Sequence, residues 1–328
     1  MCIFVAIKKN NHMETTKFHE YNLSRFMMGT VQFGVNYGIA NLSGKPSYES
    51  VVKILERAAA SGVTCLDTAA AYGDSEMVIG RALRELGLTG KMTVVTKTPH
   101  LNEGLKPAEA DKAVQEAVES SLKKLQLEFL PLYLFHKEAN SAYIDSVRKM
   151  KQKGLVKHIG ISVNSPEWAL KAVRSGNFEA IQLPTNILDH RYIKAGVFKE
   201  AKRAGIAVFV RSVYLQGLLF LPENKILPEH NPVIEVRRRL GEIARESGLT
   251  LTALAARFVM SLEGVYCLVM GLETIEQLQD NLKLFEHGLL GSAVMDKIMK
   301  AVPLLPDIVL MPWLWPKAFH APPQKPKT

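Results

Sequence analysis

Cysteine is scarce in this chain. The 328 residues include three cysteines, Cys2, Cys65 and Cys267. They are far apart and odd in number, and they show neither the paired spacing of a metal site nor the pattern of a disulfide framework. This argues against a small secreted domain held together by disulfides, and we expect a protein of the reducing cytoplasm without a metal site.

Long apolar runs are also missing. No stretch approaches the roughly 20 consecutive apolar residues that span a membrane. The apolar run at residues 2–7 is too short for the hydrophobic region of a signal peptide, and its lysines follow the run instead of preceding it. The sequence therefore predicts no membrane partner and no secretory leader.

Acidic residues are the minority among the charged ones. There are 32 Asp and Glu against 41 Lys and Arg, a formal net charge of +9. Such an excess would suit nucleic acid, an acidic surface or a phosphorylated cofactor. The basic residues, however, are scattered among acidic ones on presumed helices, and the aromatic residues are not interleaved with basic runs. We therefore expect solvated helix faces and no nucleic-acid partner; monomer and homo-oligomer are equally compatible with the sequence.

What the sequence does contain is an alternation of short, β-rich apolar runs with longer amphipathic stretches. This pattern is typical of repeated strand–helix units around a parallel sheet. Eight such units, in a chain longer than the roughly 250 residues of a common α/β barrel, favour a single closed (β/α)8 TIM barrel over an open doubly wound sheet. The eight predicted strands are residues 26–29, 63–67, 92–97, 132–136, 158–162, 180–183, 207–211 and 266–270.

The segments between the strands carry helix signals. Ser47 precedes one apolar-periodic stretch as an N-cap, and Gly62 ends it. The segment 214–262 is longer than one crossover requires. It predicts two extra helices before the last strand, at 233–247 and 250–261.

Both ends of the chain differ from this alternation. We expect residues 1–20 to be a poorly ordered extension, residues 21–300 to form the barrel and residues 301–328 to be a Pro-rich tail. A disordered tail seldom carries many large apolar groups, so the aromatic residues of the tail indicate that part of it packs on the barrel. These aromatic residues are Trp313, Trp315 and Phe319, which would either wall the substrate pocket with Phe33, Tyr37 and Trp168 or cover the outside of the barrel.

Four polar side chains lie where parallel barrels place their active sites, at the C-terminal ends of strands. Asp67, Lys97 and His136 end the second, third and fourth strands, and Tyr72 follows in the loop after the second. Taken singly, Asp67 suits a helix cap and Lys97 a charge at the rim. His136 suits a hydrogen-bonded core residue and Tyr72 a packing aromatic. Together, an acid, a base, an imidazole and a phenol predict a proton-handling site.

These residues lie in segments that resemble the aldo/keto reductase family. The stretch LDTAAAYGDSE at 66–76 is similar to the family signature, and VVTK, LYLFH, GIS and EQLQDNL follow in the family's order. The resemblance covers roughly residues 25–285. It implies an NAD(P)H-dependent reductase of small-molecule carbonyl compounds. The catalytic residues it implies are Asp67, Tyr72, Lys97 and His136.

The chemistry fits these implied roles. A carbonyl that accepts hydride develops negative charge on its oxygen and needs a proton donor, which the resemblance assigns to Tyr72. A cationic Lys97 beside it would favour loss of the phenolic proton, and Asp67 would keep the lysine protonated and in place. His136 would donate to the substrate oxygen or orient it.

The cofactor site is not expected to be a Rossmann unit, because no GxGxxG motif follows the first strand. The resemblance instead implies NAD(P)H extended across the barrel mouth. Gly29 and Thr30 would lie beneath the cofactor, and Ser162 and Gln182 would hold its carboxamide. After the seventh strand, Ser212, Leu215 and Gly217 match the family's pyrophosphate loop, and after the eighth, Gln277 and Asn281 suit adenosine contacts. Arg211 and Gly271 are the other implied cofactor residues.

Three positions depart from the family's pattern. The chain reads Ser162, Val163, Asn164 where Ser-Asn is common, which leaves the asparagine contact open. Arg211 replaces the aromatic residue that stacks on the nicotinamide. A guanidinium can stack on a flat ring, but its charge disfavours the oxidised, positively charged nicotinamide. Alternatively, Arg211 could hold an anionic substrate. Segment 270–282 lacks the Lys or Arg that commonly binds the 2′-phosphate of NADP. The site therefore lacks charge-assisted hydrogen bonds that contribute about 1.5–3 kcal/mol each. We expect NADPH on family grounds, with NADH as the alternative.

Two other functions are compatible with these residues. One is a regulatory subunit that binds the cofactor on the same barrel with little turnover, although the complete catalytic set favours the enzyme. The other is a barrel lyase or isomerase that uses Lys97 as a Schiff-base amine. Consumption of NADPH with a panel of aldehydes tests the first alternative, and borohydride trapping at Lys97 tests the second.

Overall fold

Eight parallel strands close into a barrel in the computed structural model, which describes residues 13–39, 41 and 44–316. Each strand pairs with the next in chain order, and the last pairs with the first, so that Leu268 lies beside Phe26. The fold and all eight predicted strands are confirmed. The barrel strands are β3 (Phe26–Gly29), β4 (Cys65–Asp67), β5 (Thr93–Lys97), β6 (Leu130–Phe135), β7 (Val156–Ser162), β8 (Ala180–Pro184), β9 (Ala207–Arg211) and β10 (Val265–Gly271), numbered after a two-stranded hairpin of β1 (Thr15–Phe18) and β2 (Tyr21–Ser24).

Helices cover the outside of the barrel through apolar faces. They are α1 (Val31–Gly34), α2 (Tyr48–Ala60), α3 (Ser75–Glu85), α4 (Pro107–Leu125), α5 (Ile144–Gln152), α6 (Pro166–Ser175), α7 (Arg191–Lys194), α8 (Val197–Arg203), α9 (Pro232–Glu246), α10 (Leu251–Met260), α11 (Ile275–Leu284), α12 (Ser292–Ala301) and α13 (Asp307–Leu310). As predicted, the Ser47 side chain caps α2 by accepting from the Ser50 amide. The two extra helices expected before the last strand are α9 and α10. Within the described residues, no helix has both the length and the apolarity needed to cross a bilayer.

Strand residues alternate between the barrel interior and the layer beneath the helices. In β6, Leu132 and Leu134 belong to the interior cluster, whereas Tyr133 and Phe135 pack in the outer layer. Apolar side chains therefore fill the barrel, as in other eight-stranded parallel barrels. The interior cluster consists of Phe18, Leu23, Met27, Cys65, Val95, Leu132, Leu134, Ala180, Ala207, Phe209 and Cys267.

The described part of the N-terminal extension differs from our expectation. Residues 1–20 were expected to be poorly ordered, yet residues 15–18 form β1 and pair antiparallel with β2. Phe18 and Leu23 join the interior cluster, so the hairpin covers the end of the barrel opposite the C-terminal ends of the strands. Strands of four mostly polar residues give too weak an alternation to predict. Residues 1–12 lie outside the described part of the chain.

The described part of the C-terminal tail packs on the barrel. Val309, Leu310 and Trp315 are buried, and the Trp315 indole Nε1 donates to the Ile308 carbonyl oxygen at 2.8 Å. Large apolar side chains thus hold the tail against the long insertion that precedes α9. Phe319, which we expected to contribute, lies outside the described residues.

Candidate active site

The four predicted catalytic residues meet at one end of the barrel. Asp67 and Lys97 are the last residues of β4 and β5, His136 directly follows β6, and Tyr72 lies in the loop between β4 and α3. Parallel pairing of neighbouring strands brings their C-terminal ends to the same rim. Strand order and direction therefore place the four side chains together although 69 positions separate the first from the last.

A buried ion pair forms the base of the site. Lys97 Nζ donates to Asp67 Oδ1 at 2.7 Å, to Asp67 Oδ2 at 2.8 Å and to the Thr68 carbonyl oxygen at 2.8 Å. Lys97 is fully buried and Asp67 nearly so. An ammonium group removed from water is tolerated only when it is paired and hydrogen-bonded, so Asp67 and Thr68 keep Lys97 charged and fixed. The Gln182 side-chain amide also donates to Asp67 Oδ1, at 2.7 Å.

Tyr72 lies beside this ion pair and is only half-buried. Its hydroxyl oxygen is 3.5 Å from Lys97 Nζ, which lies 4.9 Å from the centre of the Tyr72 ring. The loop is held by bonds from the Tyr72 amide to Ala69 and from the Ser75 amide to the Tyr72 carbonyl. Gly34 permits this position, because a Cβ there would lie 1.7 Å from the Tyr72 carbonyl oxygen. The phenol thus faces both a buried cation and the open mouth.

His136 is a neutral imidazole at physiological pH. Burial lowers its pKa to about 3, and the positive charges of Lys97, His100, Arg211 and Lys137 act in the same direction. Its ring meets the Tyr72 ring edge-on, with centroids 5.6 Å apart. Its buried Nδ1 has no hydrogen-bond partner among the described residues. A neutral imidazole has one donor and one acceptor nitrogen, so this ring can bind a substrate oxygen without carrying charge.

Two of the predicted carboxamide-binding residues are neighbours. Ser162 at the end of β7 lies in register with Gln182 of β8, and both are buried. Gln182 donates its amide to Asp67, while its Oε1 is buried without a partner in the described structure. That oxygen is a free acceptor held in place, which suits the NH2 group of a carboxamide.

The residues predicted beneath the cofactor lie where β3 meets β4 and β10. Gly29 is in register with Asp67 on one side and Gly271 on the other. The Thr30 hydroxyl donates to the Asp67 carbonyl oxygen at 2.8 Å, so it joins the strand end to the catalytic loop. Sequence reasoning missed Gln32, whose side chain lies 2.6 Å from the position of a Cβ on Gly271. The sequence signal that could have identified Gln32 is its position two residues after Thr30, just beyond the end of the first barrel strand.

The predicted pyrophosphate loop has an uncommon backbone. Ser212, Leu215 and Gln216 have φ angles of +61°, +48° and +54°, and Gly217 has +99°. Positive φ at non-glycine residues costs of the order of 1–3 kcal/mol each, and such residues concentrate at ligand-binding loops. Bonds to neighbouring elements hold this conformation, among them one from Gln216 Nε2 to the Tyr37 hydroxyl at 3.2 Å.

The predicted adenosine contacts lie apart from the catalytic group. Gln277 and Asn281 are on α11, and Gln277 is exposed. The Gln277 Oε1 accepts from the Glu273 amide at 2.7 Å, which closes the start of the helix. Lys283, the first basic residue beyond the segment, pairs with Asp280 at 2.8 Å and is two-thirds exposed.

Arg211 reaches across the mouth to the loop after β7. Its Nη2 donates to Asn164 Oδ1 at 2.6 Å and to the Val163 carbonyl oxygen at 3.3 Å. Asn164 in turn donates its backbone and side-chain amides to Glu138 Oε1, at 2.7 and 3.1 Å. The two departures from the family's pattern that concerned Asn164 and Arg211 are therefore one hydrogen-bonded unit. Sequence reasoning missed Glu138, for which no local signal exists.

Of the six aromatic residues considered as pocket walls, two line a cavity of about 270 Å³ beside Arg211. These two are Tyr37 and Trp313. Phe33 is fully buried, Trp315 is buried in the tail and Trp168 is covered by the Lys171 ammonium, so none of these three lines the cavity. The tail therefore contributes one wall of the mouth through Trp313.

Comparison with known proteins gives consistent matches. A sequence model described as the Aldo/keto reductase family matches residues 25–303. An aldo-keto reductase of Mycolicibacterium vanbaalenii is 35% identical over 134 residues, which are 39% of this chain and 44% of that protein. The aldo-keto reductase YhdN of Bacillus subtilis is 26% identical over 282 residues, which are 78% of this chain and 83% of that protein.

Solved structures share the fold. The holo form of aldo-keto reductase AKR11C1 from Bacillus halodurans aligns with a TM-score of 0.74 at 23% identity, over 89% of this chain and 97% of that one. The glycerol dehydrogenase AKR11B4 from Gluconobacter oxydans aligns with a TM-score of 0.69 at 21% identity, over 89% and 95%. Since the family's sequence model spans most of the barrel, the chain belongs to the aldo/keto reductase family, whose members are NAD(P)H-dependent oxidoreductases that act on carbonyl compounds.

Proposed function

We propose that this protein reduces a small aldehyde or ketone to an alcohol, with hydride from NADPH and a proton from Tyr72. The observation that carries the proposal is the buried pair of Lys97 and Asp67, whose ammonium lies 3.5 Å from the Tyr72 hydroxyl. A phenol beside a fixed, buried cation is suited to giving up its proton.

The residues at the mouth fit a nicotinamide cofactor. The unpartnered Oε1 of Gln182, next to Ser162, would accept from the carboxamide. The loop over residues 212–217, with its positive φ angles, would hold the pyrophosphate. Gly29 and Gly271 allow close packing of the strand ends beneath the mouth, because a Cβ at Gly29 would lie 3.2 Å from the Gly271 amide nitrogen and one at Gly271 would lie 2.6 Å from the Gln32 side chain. The bound cofactor supplies the hydride that the carbonyl carbon receives.

Proton transfer is the part of the reaction that these side chains perform. As negative charge develops on the carbonyl oxygen, Tyr72 Oη gives its proton to that oxygen, and Lys97 stabilises the phenolate that remains. Asp67 bonds the Lys97 ammonium through both carboxylate oxygens and so fixes it beside Tyr72. Because Tyr72 is half-buried, it can recover a proton from solvent after the alcohol leaves.

His136 orients the substrate and does not act as an acid. Its low pKa of about 3 leaves it neutral, so it donates a hydrogen bond to the carbonyl oxygen without transferring charge. The Tyr72 and His136 rings meet edge-on with centroids 5.6 Å apart, so both side chains would reach one carbonyl oxygen. Two donors converging on a developing oxyanion stabilise it more than either could alone.

The geometry disfavours a Schiff-base role for Lys97. Its ammonium group bonds both carboxylate oxygens of Asp67 and the Thr68 carbonyl. A lysine held in the charged state has no lone pair for attack on a carbonyl, whereas Schiff-base lysines are kept neutral. The lyase or isomerase alternative would require this ion pair to break.

Cofactor titration followed by a carbonyl panel tests the proposed function. Quenching of protein fluorescence by NADPH and NADH would give both dissociation constants, and the preferred cofactor would then be used with aldehydes and ketones. We propose NADPH on family grounds, although segment 270–282 offers no basic residue for the 2′-phosphate. Tight cofactor binding without oxidation by any carbonyl would instead support the regulatory-subunit alternative.

A further inference from the structure

Arg211 is a cation at the mouth that has no ion-pair partner among the described residues. Its two hydrogen bonds go to neutral oxygens, the Asn164 amide and the Val163 carbonyl, and both use Nη2. Among residues 13–39, 41 and 44–316, no other hydrogen bond and no ion pair engages this guanidinium. Nε and Nη1 therefore remain as charged donors for a ligand.

Nearby acidic groups are already occupied. Asp189, which lines the same cavity, is buried and paired with Arg191 at 2.9 Å. Glu138 bonds the neutral amides of Asn164 and forms no ion pair with Arg211, so its charge acts on the guanidinium only across Asn164. A half-buried guanidinium loses part of its hydration without an ion pair to offset it, which an anionic ligand would correct.

The remaining charges of the mouth add to this positive field. Lys97, Arg211 and Lys137 all act on His136 as positive charges and oppose its protonation, Lys97 most strongly. A cleft with unbalanced positive charge attracts anions and raises their local concentration.

The cavity next to Arg211 has the size and lining for a small polar group. It measures about 270 Å³, several times the roughly 30 Å³ that one water molecule occupies in the liquid, so it has room for a group of several heavy atoms. Asn186 offers a neutral hydrogen-bonding group and Tyr37 and Trp313 form aromatic walls, while Ser212 and Gln216, from the loop proposed for the pyrophosphate, complete the lining. The lining thus offers donors to an anion while Arg211 provides the charge.

We propose that the substrate is a small aldehyde or ketone that carries a carboxylate or phosphate group, and that Arg211 binds this anionic group in the cavity. This inference rests on the proposed reduction, since it places the carbonyl at Tyr72 and the anion at Arg211. Arg211 is then a specificity-determining residue.

Two aldehydes of similar length test the inference by turnover. 4-Oxobutanoate carries a carboxylate and pentanal does not. In Arg211→Gln, the ratio of kcat/KM for 4-oxobutanoate to that for pentanal should fall about ten- to a hundredfold, mostly through KM, because one charge-assisted bond is lost. Arg211→Lys should recover part of the ratio. Arg238→Gln, which removes an exposed arginine of α9, is the control and should leave the ratio unchanged.

Direct binding tests the same site without turnover. Succinate should quench the fluorescence of Trp313, and Arg211→Gln should weaken succinate binding about tenfold or more. If the wild type reduces neither aldehyde, the proposed function fails, yet succinate binding still tests the anion site. The inference is overturned if the aldehyde ratio and succinate affinity are unchanged in Arg211→Gln. It is also overturned if that variant weakens NADPH binding and lowers kcat/KM by the same factor for both aldehydes. That result would assign Arg211 to the cofactor pyrophosphate.

Discussion

The two ends of the barrel each hold a histidine among charged groups, with opposite results. At the mouth, burial and then positive neighbours lower the pKa of His136 to about 3. At the opposite end of the barrel, which the β1–β2 hairpin covers and which we call the floor, burial also opposes protonation of His158. Its bonds to Glu179 and Glu20 nevertheless raise its pKa. Burial therefore acts in the same direction at both ends, and the sign of the neighbouring charge decides whether the pKa of the histidine falls or rises.

The floor is a closed network of charges. His158 Nδ1 bonds Glu179 Oε2, and His158 Nε2 lies 2.9 Å from Glu20 Oε2. His19 Nε2 lies 3.1 Å from Glu179 Oε2, and Lys151 Nζ lies 2.6 Å from Glu179 Oε1. Carboxylates at both ring nitrogens favour the imidazolium form of His158. The network joins the turn of the β1–β2 hairpin to β7 and to the segment before β8.

The parallel stacking of the His19 and His158 imidazoles argues against a metal site at the floor. His19 and His158 stack with centroids 4.1 Å apart and planes 12° apart. With Glu179 they form a set of ligand types that metals use. An ion in the plane of one ring would lie outside the plane of the other, so shared protons suit this geometry better than a shared ion.

The ends also differ in which polar atoms are satisfied. At the mouth, His136 Nδ1 and Gln182 Oε1 are buried without partners among the described residues. At the floor, both ring nitrogens of His158 and both carboxylate oxygens of Glu179 are bonded. Unsatisfied groups at the C-terminal end suit ligand binding, and satisfied groups at the N-terminal end suit stability.

The largest effect on activity is expected from Tyr72→Phe. Loss of the proton donor should lower kcat by about a hundredfold to ten-thousandfold, while NADPH binding and the free energy of unfolding change little. Stopped-flow or steady-state NADPH oxidation and fluorescence titration measure these quantities. Turnover at the wild-type rate would refute the assignment of Tyr72.

Two lysine substitutions compare the ion pairs of the two ends. Lys97→Met leaves Asp67 buried without a counter-ion and should lower the free energy of unfolding by about 3–5 kcal/mol, with loss of activity. Lys151→Met removes a partner of Glu179 from a lysine that is 41% exposed, so the cost should stay below about 1 kcal/mol. Urea unfolding measures both. Equal costs would contradict the difference in burial, and adding Asp67→Asn to Lys97→Met should restore stability without activity.

Local sequence predicted the mouth better than the floor. The eight strands were visible as apolar runs, and Asp67, Lys97 and His136 were visible because each ends such a run. The floor depends on pairs such as Glu20 with His158, which are 138 positions apart and lie on elements with no shared local pattern. The bond from Gln182 to Asp67 spans 115 positions in the same way. Such contacts follow from closure of the barrel and cannot be derived from local periodicity.

His136 predicts a loss of stability on the acid side. Since its folded pKa is about 3 and an unfolded histidine titrates near 6.5, only the unfolded chain binds this proton between those values. The free energy of unfolding should therefore fall as pH falls through this window, by about 1 kcal/mol per pH unit for one proton. Unfolding of wild type and His136→Gln from pH 7 to pH 4 measures the difference. Parallel curves would show that His136 titrates alike in the folded and unfolded states, which would contradict the low folded pKa.

His158 predicts a smaller effect of opposite sign. Its folded pKa is raised, so its contribution to stability is fully present below about 6.5 and is lost as pH rises through the folded value. Glu179→Gln should remove most of this slope and cost about 1 kcal/mol or less below pH 6.5, because the network is partly exposed.

Glu200→Gln is the matched control: its partner Arg174 does not titrate in this range, so the slope should stay as in the wild type. Urea unfolding from pH 6 to pH 9 measures the slopes, and kcat measured alongside should not change in Glu179→Gln. If Glu179→Gln retains the wild-type slope, the network at the floor does not hold a proton on His158, and the two histidines do not differ in charge.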